Sequence, residues 1–513
     1  MVKTVTMEGE PERKRARHGD EEEREALEED VNPYGIKPEG NLFDCDVAME
    51  NKLTASLGMF RRLHDKTILH ILSFLDHHAL CRLSSVSVGM YCFSHHTNIW
   101  RELTISKFGG DFRFQKCWKE TFLKRINSKF PGHKPLRMKD CYSDILFEPW
   151  MNANMAIDPS WLTVENVDRR SGLTAQEFVE NYEKRNLPVI LTDVIPKWPA
   201  SESWKCENLL KKYADTKFRV SATMDMKLED FLDYCNHARE ERPLYLFEKN
   251  FATKCPDMAQ EYSIPPQFDE DLMRVLGEDK RPDYRWLIIG PERSGSSFHV
   301  DPNYNFAWNA TIQGRKKWIL YPPHIMPPGV MPQGSDGAQQ QQEISLLQWF
   351  VKYYHEEDDS SNKRLECVTK AGELMYVPRG WWHCVLNLEP CVALTHNVVT
   401  QQNLPLVLDF FSQATPCEAG KGCRGSDGDV PTSVIFPYQD QKGGGVVYGS
   451  CRCMSRKLRL LEALEEGLAP VVPAKMAEWK EKKSNKNKED SKASLWTNLV
   501  ESSTSTSSFS FGF

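Results

Sequence analysis

Residues Phe298–Trp318 read FHVDPNYNFAWNATIQGRKKW. The text is strand-forming, rich in aromatic and β-branched residues, and is broken by Pro302 and by Gly314. Set into it are a His, an Asp two residues later and a Lys just behind the glycine. Residues two apart on extended backbone point to the same side, so His299 and Asp301 should project together among apolar neighbours. A buried carboxylate without a partner is expensive, and a cation held between the two side chains removes that cost. Farther along, PRGWWHCVLNLEP repeats the arrangement: His383, Val385 and Asn387 alternate onto one face. Two imidazoles and one carboxylate on strands form the facial set that binds non-haem Fe(II) and leaves positions open for other ligands. Alone, the H-x-D pattern is also met as a local surface ion pair, so its neighbours must decide.

Strand-like runs recur around it at YRWLIIG, FAWNATI, KKWILYP, ELMYVP, WHCVLNL and CVALTHNVV, separated by Gly, Pro and polar turns. That rhythm predicts an antiparallel sandwich or barrel. Lys316 falls on the strand after Gly314, while Thr395 and Asn397 share one face of ALTHNVV and offer a hydroxyl and an amide to a polar ligand. An oxygenase that attacks unactivated C–H bonds needs two electrons from a co-substrate. 2-Oxoglutarate delivers them with its oxo-acid end on iron and its far carboxylate on a cation, a role open to Lys316.

GPERSGSSFHVDP, AWNATIQGRKKW, PRGWWHCVLNL and LTHN resemble the JmjC domain of Fe(II)/2-oxoglutarate oxygenases over about residues 160 to 410, roughly half the chain. They are most similar to its phosphatidylserine-receptor-like branch, whose members are described as arginine demethylases and lysyl hydroxylases. The resemblance implies an α+β fold built on a double-stranded β-helix, the jelly-roll or cupin-like JmjC barrel. It implies that His299, Asp301 and His383 bind iron, and that Lys316 and Thr395 grip the distal carboxylate of 2-oxoglutarate. Tyr245, Asn309 and Asn387 would line the same pocket. Ser296 stands where the branch usually has Thr and keeps its hydroxyl. The implied reaction consumes O2 and 2-oxoglutarate, releases succinate and CO2, and hydroxylates a carbon of a protein side chain. Where that carbon is an N-methyl group the product collapses to formaldehyde, which is demethylation of methyl-arginine or methyl-lysine. A histone or another nuclear protein is the expected substrate.

Residues 57–105 are helical text, with Ile68, Leu72 and Leu75, then Leu80, Leu83, Val86 and Met90, recurring at helical steps. Asp65 and Asp76 are placed to cap two of the helices. The segment resembles an F-box in Leu63 and Asp65, ILSFLD, a Leu-Ser-x-Val run and the closing Trp100-Arg-x-Leu103, with His64 where that family usually has Pro. It implies a Skp-type adaptor as partner. The competing function is therefore an F-box substrate receptor of a cullin-RING ubiquitin ligase that uses the barrel only for binding.

The domain plan that follows is 1–50 disordered with a basic cluster, 57–105 the F-box-like helices and 106–165 a connecting layer. After these come 166–410 the oxygenase, 411–474 a Gly-rich insert with a C-terminal helix, and 475–513 a disordered tail. In the first segment ERKRAR, with Arg13, Lys14, Arg15 and Arg17, is either a solvated charge run or a cluster of the kind nuclear import receptors read, and the expected location is the nucleus, with the cytoplasm as a second place. The net charge of −7 argues against strong direct binding to nucleic acid. No apolar run approaches the roughly 20 residues of a membrane span, and MVKTVTMEGEPERKRAR has no apolar core of a secretory signal. Fifteen cysteines, an odd number scattered through the chain, are expected as reduced thiols. Cys417, Cys423, Cys451 and Cys453 have a spacing that fits no common zinc pattern.

Overall fold

Gly314 turns the opening stretch back on itself. It has φ +84°, and a Cβ there would lie 2.5 Å from Cys391 Sγ, so only glycine fits. The computed structural model describes residues 32–42, 50–221, 224–330, 344–356, 364–412 and 451–485. The basic cluster, the Gln-rich insert, Cys417 and Cys423 lie outside these, as do the side chains of Cys451, Cys453 and Leu458.

The strands are β1 (Ile36–Lys37), β2 (Cys141–Tyr142), β3 (Asp168–Arg170), β4 (Val189–Leu191), β5 (Lys217–Val220), β6 (Met224–Lys227) and β7 (Leu246–Glu248). They continue as β8 (Arg285–Gly290), β9 (Gly295–His299), β10 (Phe306–Gln313), β11 (Arg315–Tyr321), β12 (Leu365–Lys370), β13 (Leu374–Val377), β14 (Trp382–Asn387) and β15 (Cys391–Val398). A large sheet runs β3-β4-β13-β10-β15-β8-β7-β5-β6 and a small one β12-β11-β14-β9. From β8 to β11 and again from β12 to β15 the chain passes back and forth between the two, which is the jelly-roll winding expected of a cupin-like barrel.

Alternation decides what each face carries. Trp318, Leu320, Val385, Ala307 and Met375 turn inward and pack between the sheets. Ile319, Tyr321, Cys384 and Leu386 turn outward from the small sheet under Leu347, Trp349 and Phe350. Trp308, Ala310, Leu394 and Leu287 turn outward from the large sheet into the main apolar cluster.

That cluster also takes in the helical segment: Ile68, Leu72, Leu80, Phe93 and Trp100 share it with Phe218 and Leu246 of the large sheet. The helices are Asp65–Leu72, His77–Leu83, Val88–Ser94 and Thr97–Phe108. Asp76 caps the second, accepting from Ala79 N at 2.8 Å. Asp65 does not cap the first. His64 does, its Nδ1 accepting from Lys66 N at 3.2 Å, which leaves the Asp65 carboxylate to accept from the Ser143 hydroxyl. Val86, read as part of the core stripe, lies in the turn between helices and is exposed.

Two expectations of disorder are corrected. Residues 32–42 lie in the fold: Ile36 is buried in the main cluster and β1 pairs with β2. Residues 473–485 are helical rather than tail. Val472, Met476 and Trp479 recur at helical spacing and pack with Leu461, Leu464 and the helix Leu404–Ser412, and Trp479 Nε1 donates to Asp409 at 2.7 Å. A highly charged segment is legible as solvated, but three apolar residues on one face are enough to dock it.

Candidate active site

β9 and β14 are neighbours in the small sheet, with His299 opposite His383, and their register slips between His383 and Val385. The bulge re-aims side chains beside the two imidazoles, whose ring centroids lie 4.2 Å apart. β9 ends at His299, so Asp301 is not on the strand itself. Its backbone is still extended (φ −58°, ψ 139°), and this carries it onto the same side. One ligand atom from each of His299, Asp301 and His383 lies within 4.8 Å of the others. Immediately afterwards Asn303 (φ 59°) and Tyr304 (φ 55°) turn the chain in left-handed conformations that non-glycine residues rarely adopt. Asn403 Nδ2 holds that turn by donating to the Tyr304 carbonyl at 3.0 Å.

His383 Nδ1 donates to the Trp381 carbonyl at 3.0 Å and His299 Nδ1 to the Ser297 carbonyl at 2.8 Å. A carbonyl can only accept, so each neutral ring carries its lone pair on Nε2. Burial pushes His383 down to about 4, against the Trp381 carbonyl, and keeps it neutral. Burial likewise pushes the Asp301 carboxyl up to about 6, with His299 acting the other way. Asp301 Oδ2 is buried and has no hydrogen-bond partner among the described residues. Two imidazole nitrogens with an orphaned buried carboxylate oxygen suit a divalent first-row metal, and Fe(II) fits this donor set.

Deeper in the barrel, Lys316 stands opposite Asn387 across β11 and β14, and Asn309 opposite Thr395 across β10 and β15. Cross-strand partners share a face, so these four side chains come inward from the two facing sheets. Burial raises the pKa of Tyr245, just before β7, with the nearby Lys316 and Asn387 acting the other way. Asn387 Nδ2 donates to Ser294 Oγ at 2.9 Å and Thr395 Oγ1 to the Trp308 carbonyl at 3.0 Å. Asn309 Oδ1 and Asn387 Oδ1 are buried with no partner among the described residues. Lys316 is 1% exposed, and no carboxylate pairs with it among the described residues. Its neighbour Lys317 faces the other way and is paired with Glu366 at 2.7 Å. A buried ammonium facing only neutral groups is a receptor for an anion. Ser296 stands opposite Val385, on the inward side of β9. Asn397, read on the same face as Thr395, donates to Asn305 Oδ1 at 3.1 Å.

The sequence reading passes over Ser294 and the Asn303–Tyr304 turn. GPERSGSS holds several small polar residues, and nothing in alternation alone says which one reaches Asn387.

Comparison with known proteins agrees with this geometry. The profile of the cupin-like domain family matches residues 174–398. The chain is 42% identical over 393 residues to Arginine-specific demethylase JMJ22 of Arabidopsis thaliana, covering 76% of this chain and 78% of the relative. It is 36% identical to Lysine-specific demethylase JMJ21 of the same plant, over 71% of this chain and 40% of the relative. It is 35% identical to the Bifunctional arginine demethylase and lysyl-hydroxylase psr-1 of Caenorhabditis elegans, over 48% of this chain and 63% of the relative. Alternating strands, a His-Asp-His cluster and a buried lysine thus converge with ancestry, and the chain belongs to the cupin-like JmjC family of oxygenases that use Fe(II), 2-oxoglutarate and O2.

Proposed function

We propose that this protein removes methyl groups from arginine side chains of a nuclear protein, a histone being the first candidate. The observation that carries the chemistry is the pairing, inside one barrel, of the His299–Asp301–His383 donor set with a buried Lys316 that lacks a counter-ion. The choice of methyl-arginine is supported by the 42% identity to an arginine demethylase over three quarters of the chain.

In this reading His299 and His383 donate through Nε2 and Asp301 through its orphaned carboxylate. Bound there, Fe(II) supplies the oxidising chemistry that O2 and 2-oxoglutarate drive. Lys316, with Tyr245 and Thr395, holds the distal carboxylate of 2-oxoglutarate, and the amides of Asn309 and Asn387 orient it. The carbonyls of Ser297 and Trp381 keep the two imidazoles in the tautomer the metal requires. Trp318 and Val385, paired between the Lys316–Asn387 and Leu320–His383 positions, give the interior an apolar wall between its two polar ends.

Lysyl hydroxylation is the second reading, favoured by the similarity to psr-1. Mass spectrometry of methyl-arginine and lysine peptides incubated with the protein, Fe(II) and 2-oxoglutarate separates the two. Loss of one methylene per site with formaldehyde supports demethylation, and gain of one oxygen on lysine replaces it with hydroxylation. His383→Ala should abolish succinate production while the thermal transition persists; undiminished succinate would remove His383 from the site.

The exposed apolar side chains Met59, Phe60, Leu63, Ile71, Phe74 and Val86 of the N-terminal helical segment support a second property, docking to a Skp-type adaptor. Among the described residues no helix is long and apolar enough to cross a membrane.

A further inference from the structure

Of the three donors, Asp301 is the one that no strand holds. His299 ends β9 and His383 lies within β14, whereas Asp301 leads into the turn Pro302–Tyr304. Its Oδ2 has no hydrogen-bond partner among the described residues. The place of the carboxylate is therefore inherited from the turn. That turn is strained, with Asn303 and Tyr304 left-handed in succession at φ 59° and 55°. A bulky aromatic residue rarely adopts this conformation, and such backbone persists only where its surroundings over-determine it.

What surrounds the turn is a buried relay of side chains. Asn403 donates from Nδ2 to the Tyr304 carbonyl at 3.0 Å and accepts at Oδ1 from the Thr400 N–H at 2.8 Å. Thr400 Oγ1 donates in turn to the Glu183 carboxylate. All three residues are buried. Asn403 also opens the helix Leu404–Ser412, where its carbonyl accepts from the N–H groups of Leu406 and Val407. The last member of the relay is thus fixed to a rigid element.

The far end is unusual as well. Glu183 closes a π-helical turn in which Lys184 N donates to the Val179 carbonyl, five residues back, at 2.9 Å. Such turns are rare and recur beside functional sites. Burial raises the pKa of Glu183, and the Thr400 hydroxyl is first among the groups acting the other way. A costly buried carboxyl with no place in the donor set therefore serves to anchor Thr400. Two irregular stretches of backbone, far apart in the chain, are joined by two side chains.

We propose that Asn403 is a positioning residue for the metal: held by Thr400 and Glu183, it locks the Tyr304 turn and so fixes where the Asp301 carboxylate meets the two imidazoles. The proposal rests on the reading of Asp301 as a metal ligand and adds to it a relay of groups outside the donor set.

The test is titration calorimetry of the full chain with Mn(II), an air-stable stand-in for Fe(II), beside thermal melts in chelator. Asn403→Ala should raise the Kd for Mn(II) by roughly tenfold or more while the folded protein persists. Thr400→Val should raise it by roughly threefold to tenfold, and Thr400→Ser, which keeps the hydroxyl, should restore it. A residue that only supports its helix would lower Tm and leave the Mn(II) affinity of the folded protein unchanged. That result for Asn403→Ala overturns the proposal; if Asn403→Ala does not fold, the same result for Thr400→Val overturns it. Asp301→Ala tests the underlying reading. An affinity unmoved by Asp301→Ala would remove the metal assignment itself, whereas one moved by Asp301→Ala and not by Asn403→Ala would remove only the positioning role.

Discussion

At Lys316 and Lys317 two adjacent cations have opposite fates because a strand alternates its faces. Lys316→Ala removes a charge-assisted hydrogen bond worth roughly 1.5–3 kcal/mol, so the apparent KM for 2-oxoglutarate should rise about tenfold to a hundredfold with little change in Tm. Lys317→Ala takes one of two cations from Glu366, which is 2% exposed and keeps Arg364 at 2.6 Å, and should instead lower stability by roughly 1.5–3 kcal/mol with KM nearly unchanged. Steady-state kinetics and thermal melts on both variants check the pair; the opposite assignment of effects would mean the register of β11 is wrong. His95 makes a pH prediction. It is buried, donates from Nδ1 to the Tyr91 carbonyl at 2.7 Å and faces the Lys119 ammonium at 2.5 Å. Burial, and then Lys119, push its pKa from 6.5 down to about 3. The folded value lies below the unfolded one, so the unfolded chain takes up the proton first as pH falls. The contribution is therefore complete above pH 6.5 and is lost progressively toward pH 3. Between pH 6.5 and 4 the loss is about 3 kcal/mol, and Tm should fall across that window. His95→Gln should show a smaller fall; an unchanged one would place the acid sensitivity elsewhere.

The N-terminal helices are each too short to stand alone, and packing supplies most of their stability. They bury Ile68, Leu72 and Leu80 while leaving Met59 85% and Phe74 76% exposed. That division lets the two roles be tested apart. Phe74→Ser should abolish capture of a purified Skp-type adaptor while Tm stays within roughly a degree or two and succinate production is unchanged, because an exposed side chain supports little of the core. Undiminished capture by Phe74→Ser would remove this face from the interaction. The helix at 473–485 teaches the converse lesson. Its lysine-rich text reads as solvated tail, and only its placement against Leu404–Ser412 reveals Met476 and Trp479 as buried.

Over the whole molecule the apolar cluster is continuous from the helical segment to the outer face of the large sheet. Leu57, Ile68, Phe93 and Trp100 belong to the same body as Trp308 and Leu394. Deleting 57–105 should therefore uncover that face and cost the oxygenase its cooperative melt and its 2-oxoglutarate turnover. A deletion variant that folds and turns over normally would show the helices to be an independent module.

The strand rhythm, the inward set of His299, Lys316, His383, Asn387 and Thr395, and the outward Lys317 were all legible in the sequence. Period-two alternation is local: a residue's side of a sheet follows from its neighbours. Composition likewise revealed the polar ends of the chain. Tertiary structure alone decided the rest. Which small residue of GPERSGSS reaches Asn387, and that Asp301 joins the imidazoles from beyond the end of β9, depend on register and on segments far apart in the chain. Contacts of that kind have no period, and only the closed barrel brings them together.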